Sequence, residues 1–244
     1  MTFSKSDIPY LSEEQMREVD RAMIEDFGIA LMQMMENAGR ALARLAVERF
    51  LSGDANARAV VVLAGSGGNG GGGLVCARRL HGWGAKVEVF LSTSAGQLGD
   101  VPAHQLKIAR HMGIPVGEGD VDISLPPADL VIDALIGYSL RGAPTGASAA
   151  LIRAANAHVA PVLSLDVPSG LEASTGAVHD PSITATATLT LALPKEGLRA
   201  GAAKSSVGEL YLADIGVPPD LYSAPGLGLE VGPIFSQNEI IRIW

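Results

Sequence analysis

Two hydrophobic periods alternate along this chain. From Leu11 the first is helical. Ser12 and Gln15 stand three apart at the head of an amphipathic run, the spacing of a capping box in which side chains take up the free amides that begin a helix. Leu11 and Met16 are placed to staple the entry, and Gly28 stops the helix, which is predicted to end at about Asp26. Leu31, Met34, Met35, Ala38, Leu42 and Leu45 then recur at helical spacing and predict a second helix ending near Phe50, with its methionines in the core.

At Ala59 the period changes. Ala59–Ala64 is wholly apolar and rich in valine, as expected of a strand buried on both faces of a parallel sheet. The glycine-rich stretch 65–73 reads as a loop, the run from Leu74 as a helix ending by Gly82 or Gly84, and Lys86–Leu91 as a second strand. A helix over 103–112, a short strand over 113–116, a strand over 130–135, a helix over 148–157 and a strand over 161–166 continue the alternation, and apolar runs over 187–193 and 209–213 complete it. The pattern predicts an α/β fold: a doubly wound, mostly parallel sheet with helices on both faces, preceded by two N-terminal helices. Beyond Pro218 the chain turns rich in Pro and Gly and loses its period, so 1–218 reads as one domain and 219–244 as a C-terminal tail, ordered or mobile.

Composition narrows the class. A chain of 244 residues can bury a large core without staples, and 48% apolar with only 5% aromatic residues suits helix-on-sheet layers better than an aromatic-rich sandwich. A net charge of -8 repels a phosphate backbone, so no nucleic-acid partner is expected, although backbone amides can still hold a small anion. The single cysteine, Cys76, cannot form an internal disulfide and falls in a predicted helix as core, which points to the cytoplasm. Residues 1–10 carry Lys5, Asp7 and Pro9 in place of an apolar leader, and no stretch approaches the roughly 20 apolar residues a bilayer span requires. Neither export nor a membrane is expected.

Ligands of such sheets bind outside the carboxyl ends of the strands, and three ends stand out. The glycines from Gly65 to Gly73 allow close backbone approach, and the helix after them offers free N–H groups to a phosphate. A linker is the alternative, but a buried strand and a helix flank the stretch with no polar spacer. Asp133 ends the apolar run at 130–135, where an ionised carboxylate must be paired, hydrogen-bonded or metal-bound; helix capping is the alternative. Asp166 follows the next buried strand in Asp166-Val167-Pro168-Ser169-Gly170, where Ser169 and Gly170 could equally be turn chemistry. The convergence of two acids and a glycine run on one sheet edge favours a site.

Other chemistries find less support. Gly65, Gly67 and Gly70 satisfy G-x-G-x-x-G, but Ser92-Thr93-Ser94 stands where a dehydrogenase would carry an acid for the ribose. The five histidines form no zinc motif, and Arg141 replaces the last glycine of a nucleophile elbow.

Taken in order, Met35-Glu36-Asn37-Ala38-Gly39, the glycine stretch, Asp133-Ala134-Leu135-Ile136-Gly137, Asp166-Val167-Pro168-Ser169-Gly170 and Ala213-Asp214-Ile215-Gly216-Val217-Pro218 resemble the YjeF N-terminal domain family of NAD(P)H-hydrate epimerases. The resemblance spans roughly 11–218. It implies a Rossmann-like sheet, often homodimeric, that interconverts the R and S forms of NADHX and NADPHX, nicotinamide cofactors hydrated at C6. A dehydratase then acts on the S form. Many bacterial relatives carry it fused behind the epimerase, and here, with the chain ending at Trp244, it is expected as a separate protein.

Position by position, the resemblance implies that Gly68, Asn69, Gly70, Gly71 and Gly72, together with Gly137, Tyr138, Ser139, Leu140, Arg141, Gly142 and Ala143, hold the substrate, and that Asp166 contacts it near the reacting ring. It implies a potassium ion on Asn69, Asp133 and Ser169, whose oxygens suit a hard cation. Epimerisation must lose the C6 hydroxyl and regain water on the other face, and Asp166 is the expected proton carrier; to donate near neutral pH its pKa would have to be raised by burial. Where family members usually read Asn-Asn-Gly-Gly-Asp-Gly, this chain has Gly68-Asn69-Gly70-Gly71-Gly72-Gly73. The missing acid is expected to leave room at Gly72, to loosen the loop and to alter affinity or activity. A catalytically weakened nucleotide-binding or scaffold module of the same fold is the alternative reading, and a dehydrogenase a distant third.

Overall fold

Ser12 opens the first helix through the predicted capping box. Its hydroxyl accepts from the Gln15 N–H at 3.2 Å, and the Gln15 side chain accepts from the Ser12 N–H at 2.9 Å. The computed structural model describes residues 8–120 and 123–244, so Lys5 and Asp7 of the opening segment lie outside the described residues. After α1 (Glu13–Glu25) comes α2 (Leu31–Leu45), prolonged by a wider π-type turn over Ala46–Phe50 to the end predicted for it.

The alternation then runs β1 (Ala59–Ala64), α3 (Gly68–Gly82), β2 (Lys86–Leu91), α4 (Asp100–His111), β3 (Val116–Glu118), β4 (Leu130–Ala134), α5 (Gly146–Ala157), β5 (Val162–Leu165), β6 (Ala187–Leu191), α6 (Lys204–Val207), β7 (Glu209–Ala213), α7 (Pro219–Ser223) and β8 (Ile240–Arg242). In space the strands lie in the order β3-β2-β1-β4-β5-β6-β7-β8, parallel throughout except for the antiparallel β8. Strand order reverses between β1 and β4, which opens a crevice at their carboxyl ends. Alternate side chains of β1 serve opposite layers: Val60, Val62 and Ala64 pack with residues of α2, α3 and α4, while Val61 and Leu63 pack with Leu151 and Ile152 of α5. This is the Rossmann-like, doubly wound sheet expected, with α1 and α2 before it. Among the described residues no helix is long and apolar enough to cross a membrane.

Three segments differ from the sequence reading. The glycine stretch is mostly helix: α3 starts at Gly68, six residues before Leu74. Glycine disfavours a helix by roughly 1 kcal/mol per residue relative to alanine, which is why the stretch reads as a loop, but here packing requires it. A Cβ on Gly39 of α2 would lie 2.4 Å from Val75 Cβ and 2.5 Å from the Gly72 carbonyl oxygen, so α2 and α3 cross with their backbones nearly in contact. Second, β3 falls at Val116–Glu118 rather than 113–116, because Gly113 takes φ +76° to close α4. Third, the tail, which shows no strand pattern in the sequence, extends the sheet: β8 pairs with β7 from Ala213↔Ile240 to Tyr211↔Arg242. The Glu36-Asn37 motif on α2 serves as a fastener. Glu36 pairs with Arg78 and Arg79 of α3, and Asn37 donates to the Ile215 carbonyl at 3.1 Å.

Candidate functional site

The carboxyl ends of β1, β4, β5 and β6, with Ile215 beyond β7, surround a cavity of about 360 Å³ that α1 closes with Met16 and Asp20 and α2 with Leu31, Met34 and Met35. Ser66, Gly67, Gly68 and Asn69 line it at the start of α3. Among the described residues no side chain caps that helix, so its first amides remain available to an anion.

Asp166 lies at the foot of the cavity. Directly after β5 its backbone enters the left-handed region at φ +67°, a conformation that costs a non-glycine residue of order 1–3 kcal/mol, and its N–H is held by the Leu189 carbonyl at 2.7 Å. One carboxylate oxygen forms an ion pair with Lys195; the other accepts from the Tyr138 N–H at 3.1 Å. Lys195 is completely buried, and its ammonium also donates to the Leu191 carbonyl at 2.8 Å. Gly137 packs beside this pair: a Cβ there would lie 3.1 Å from Asp166 Oδ2 and 3.2 Å from Asn69 Oδ1. A side chain at this position would press on both groups, so glycine gives the loop after β4 its tight passage between them.

In the same cavity, Asp20 of α1 accepts a 2.5 Å hydrogen bond from the Tyr138 hydroxyl. Burial pushes the Asp20 carboxyl up, and the tyrosine hydrogen bond pulls it partly back. Burial and the nearby Asp20 push the Tyr138 phenol up.

Asp133 is of another kind. It is wholly buried behind the cavity, and its carboxylate accepts from the Ser169 hydroxyl at 2.6 Å, the Ser169 N–H at 2.9 Å, the Ser164 hydroxyl at 2.8 Å and the Leu135 N–H at 3.3 Å. Burial pushes this carboxyl up against the pull of those bonds, Ser169 foremost. Asn69 donates to the Leu165 carbonyl at 3.2 Å.

The cavity therefore gathers Gly68, Asn69, Gly137, Tyr138, Ser139 and Asp166 from the sequence-predicted set. Gly70, Gly71 and Gly72 lie elsewhere, buried inside α3, because the glycine stretch is a packed helix and not an open loop. Leu140 is buried outside the cavity lining, and Arg141, Gly142 and Ala143 are exposed beyond its rim. The expectation that the missing acid leaves room at Gly72 is also corrected. A Cβ there would come within 2.7 Å of Leu165 Cδ2, so leucine already fills the space, and a residue buried in a helix does not loosen a loop. Lys195 and Asp20 were not read from the sequence. Lys195 carried the same signal as the two acids, a charge just beyond a buried strand; Asp20 looked like one polar position among many on an amphipathic helix.

Comparison with known proteins identifies the family. Residues 31–197 match the family model described as YjeF-related protein N-terminus. The chain is 46% identical over 231 residues to a Dehalogenimonas lykanthroporepellens protein named NAD(P)H-hydrate epimerase, covering 93% of this chain and 90% of that one. It is 39% identical to a Moorella thermoacetica protein named bifunctional NAD(P)H-hydrate repair enzyme, covering 85% of this chain but only 40% of that longer protein. The crystal structure of the yeast protein YNL200c superposes with a TM-score of 0.81 at 24% identity over 96% of this chain and all of that one, which shows the shared fold. With the family model matched over 31–197 and a relative matched over nearly its whole length, the chain belongs to the YjeF-related N-terminal family.

Proposed function

We propose that this chain is an isomerase that interconverts the R and S epimers of NADHX and NADPHX, the hydrated nicotinamide cofactors, in nucleotide repair. The observation that carries the reading is the Asp166–Lys195 ion pair turned into a cavity beside an uncapped helix N-terminus. Relatives named for this activity match the chain over about nine tenths of their length. The amides at the start of α3 take the diphosphate, and the segment from Gly137 to Ser139 lies along the nicotinamide end. Arg141, Gly142 and Ala143 are placed to reach parts of the dinucleotide outside the cavity. Once the C6 hydroxyl has accepted a proton, from solvent or from a protonated acid of the cavity, the neighbouring ring nitrogen N1 can push it out as water, leaving an iminium cation. Water then adds to the other face, and Asp166, ion-paired as a carboxylate, takes the proton released.

A potassium ion on Asn69, Asp133 and Ser169 belongs to the same reading. Among the described residues every hydrogen-bond partner of the buried Asp133 carboxylate is neutral, so a hard cation on these oxygens would balance its charge. When bound, the ion would supply charge balance beneath the cavity and fix the turn carrying Ser169. A homodimer, a dehydratase acting downstream and a cytoplasmic setting complete the proposal, with the exposed Ile24 and Phe27 offering apolar surface to a second copy. The direct test follows conversion of R-NADHX to the S form by chiral chromatography. Acceleration well above spontaneous exchange is expected; a rate equal to the uncatalysed one overturns the reading.

A further inference from the structure

Epimerisation asks for proton transfer on two faces of one carbon, and a single carboxylate reaches only one of them. Asp20 stands on α1, outside the stretch matched to the family model, and lines the same cavity as Asp166. Tyr138 links the two acids: its hydroxyl is bonded to Asp20 at 2.5 Å and its backbone N–H to Asp166 at 3.1 Å. One tyrosine residue thus bridges two carboxyl groups of one cavity, and paired carboxyl groups are what inverting glycosidases use to protonate a leaving oxygen and to activate a water on the other face. The chemistry is related, since a cation adjacent to a ring heteroatom forms when the C–O bond breaks.

We propose that Asp20 is the second acid–base group of this site, working from the face of the substrate opposite Asp166. The inference rests on the epimerase reading. In one direction protonated Asp20 gives its proton to the C6 hydroxyl, the C6–O bond breaks and water leaves, and the N1 lone pair becomes the N1=C6 bond. Water then attacks C6 from the other face, its electrons form the new C–O bond, the iminium pair returns to N1, and the released proton goes to Asp166. The opposite epimer follows the same steps in reverse, from ionised Asp20 and protonated Asp166. Exchange with solvent restores either starting state.

The two acids are set differently for this work. Asp166 is ion-paired with Lys195, whereas Asp20 forms no ion pair among the described residues and bonds only to a phenol. The groups acting on Asp20 are Tyr138 from the loop after β4, Asp166 after β5 and Lys195 after β6, with Arg17 on its own helix acting on Tyr138. Burial is the largest influence and favours the protonated form, the one a proton donor needs.

The experiment measures R-to-S conversion across pH for the unmodified chain and for Asp20→Asn, Asp20→Glu and Tyr138→Phe. As donor, Asp20 must hold its proton, so activity should fall as pH rises through its pKa. Asp20→Asn is expected to lower kcat by ~100-fold and to erase that alkaline limb, with partial return in Asp20→Glu. Tyr138→Phe removes a hydrogen bond that favours the carboxylate and is expected to move the limb to higher pH, an effect a purely structural role would not produce. An active parent chain whose Asp20→Asn variant keeps both its kcat and its alkaline limb overturns the inference alone; an inactive parent chain overturns the epimerase reading with it. Should Asp20→Asn fail to fold, the Tyr138→Phe shift decides, and an unmoved limb counts against Asp20.

Discussion

Asp133 and Asp166 close neighbouring strands of one sheet, each as the first charge after an apolar run, yet the fold uses them in opposite ways. Asp133 keeps a strand backbone and is sealed among two hydroxyls and two amides. Asp166 sits one step past its strand, in a left-handed turn that swings its carboxylate to a lysine at the foot of the cavity. In the strand register Asp133 is level with Ser164, so two residues of offset separate a group that holds loops together from one that meets a ligand. A carboxylate after a buried strand marks the site edge in both cases; what surrounds it decides between scaffold and chemistry.

The sharpest way to break this contrast is at Asp166. Asp166→Asn is expected to cut epimerisation by about 10³-fold and, by stranding buried Lys195, to destabilise the fold by about 3 kcal/mol. Replacing both partners, Asp166→Asn with Lys195→Met, should return most of the stability in urea denaturation and none of the activity. Recovered turnover in the double variant would show that Asp166 is scaffold too.

At Asp133 the weight shifts to stability. Asp133→Asn turns one acceptor oxygen into a donor facing other donors, and a loss of about 2 kcal/mol is expected with less than a tenfold change in kcat. Burial pushes this carboxyl up, so without a cation the stability it contributes is full in acid and is lost as pH rises through its folded pKa. Potassium chloride in place of choline chloride should oppose that loss, by about 1.4 kcal/mol when potassium is at ten times its Kd, and Asp133→Asn should abolish the difference. Identical melting curves in the two salts would argue against a cation here.

The smallest effect is expected at Gly72. Restoring the family's acid with Gly72→Asp pushes on Leu165, the residue before Asp166, and should cost about 1–2 kcal/mol with no gain in turnover. A variant that gains activity at unchanged stability would show that the leucine yields and that the missing acid matters to the chemistry.

Much of this was legible in the chain. The uninterrupted valine run of β1 and the capping box at Ser12 carry their structure locally, and both fell where the pattern placed them. The glycine stretch did not, because its conformation is set by α2 and β4 packing over it: a Cβ on Gly73 would meet Ala134 Cβ at 2.5 Å, a contact between residues 61 positions apart that no local propensity reports. Asp133 and Asp166 were visible as charges that needed partners. Their partners were not, since Ser164, Lys195 and Tyr138 reach them only through strand order. The strand β8 escaped notice because three residues between proline-rich and polar neighbours make no period of their own.

That short strand also settles how the sheet ends. Beyond β7 a parallel sheet would present a row of open N–H and C=O groups, a template on which another chain could grow. Ile240, Ile241 and Arg242 occupy that row, the Ile243 N–H binds the Leu210 carbonyl at 2.7 Å, and the Trp244 indole donates to the Gly208 carbonyl at 2.9 Å. The strand Ile240–Arg242 thus acts as a selvedge, covering the five-residue β7 and leaving only three residues at that edge for a neighbouring molecule to extend.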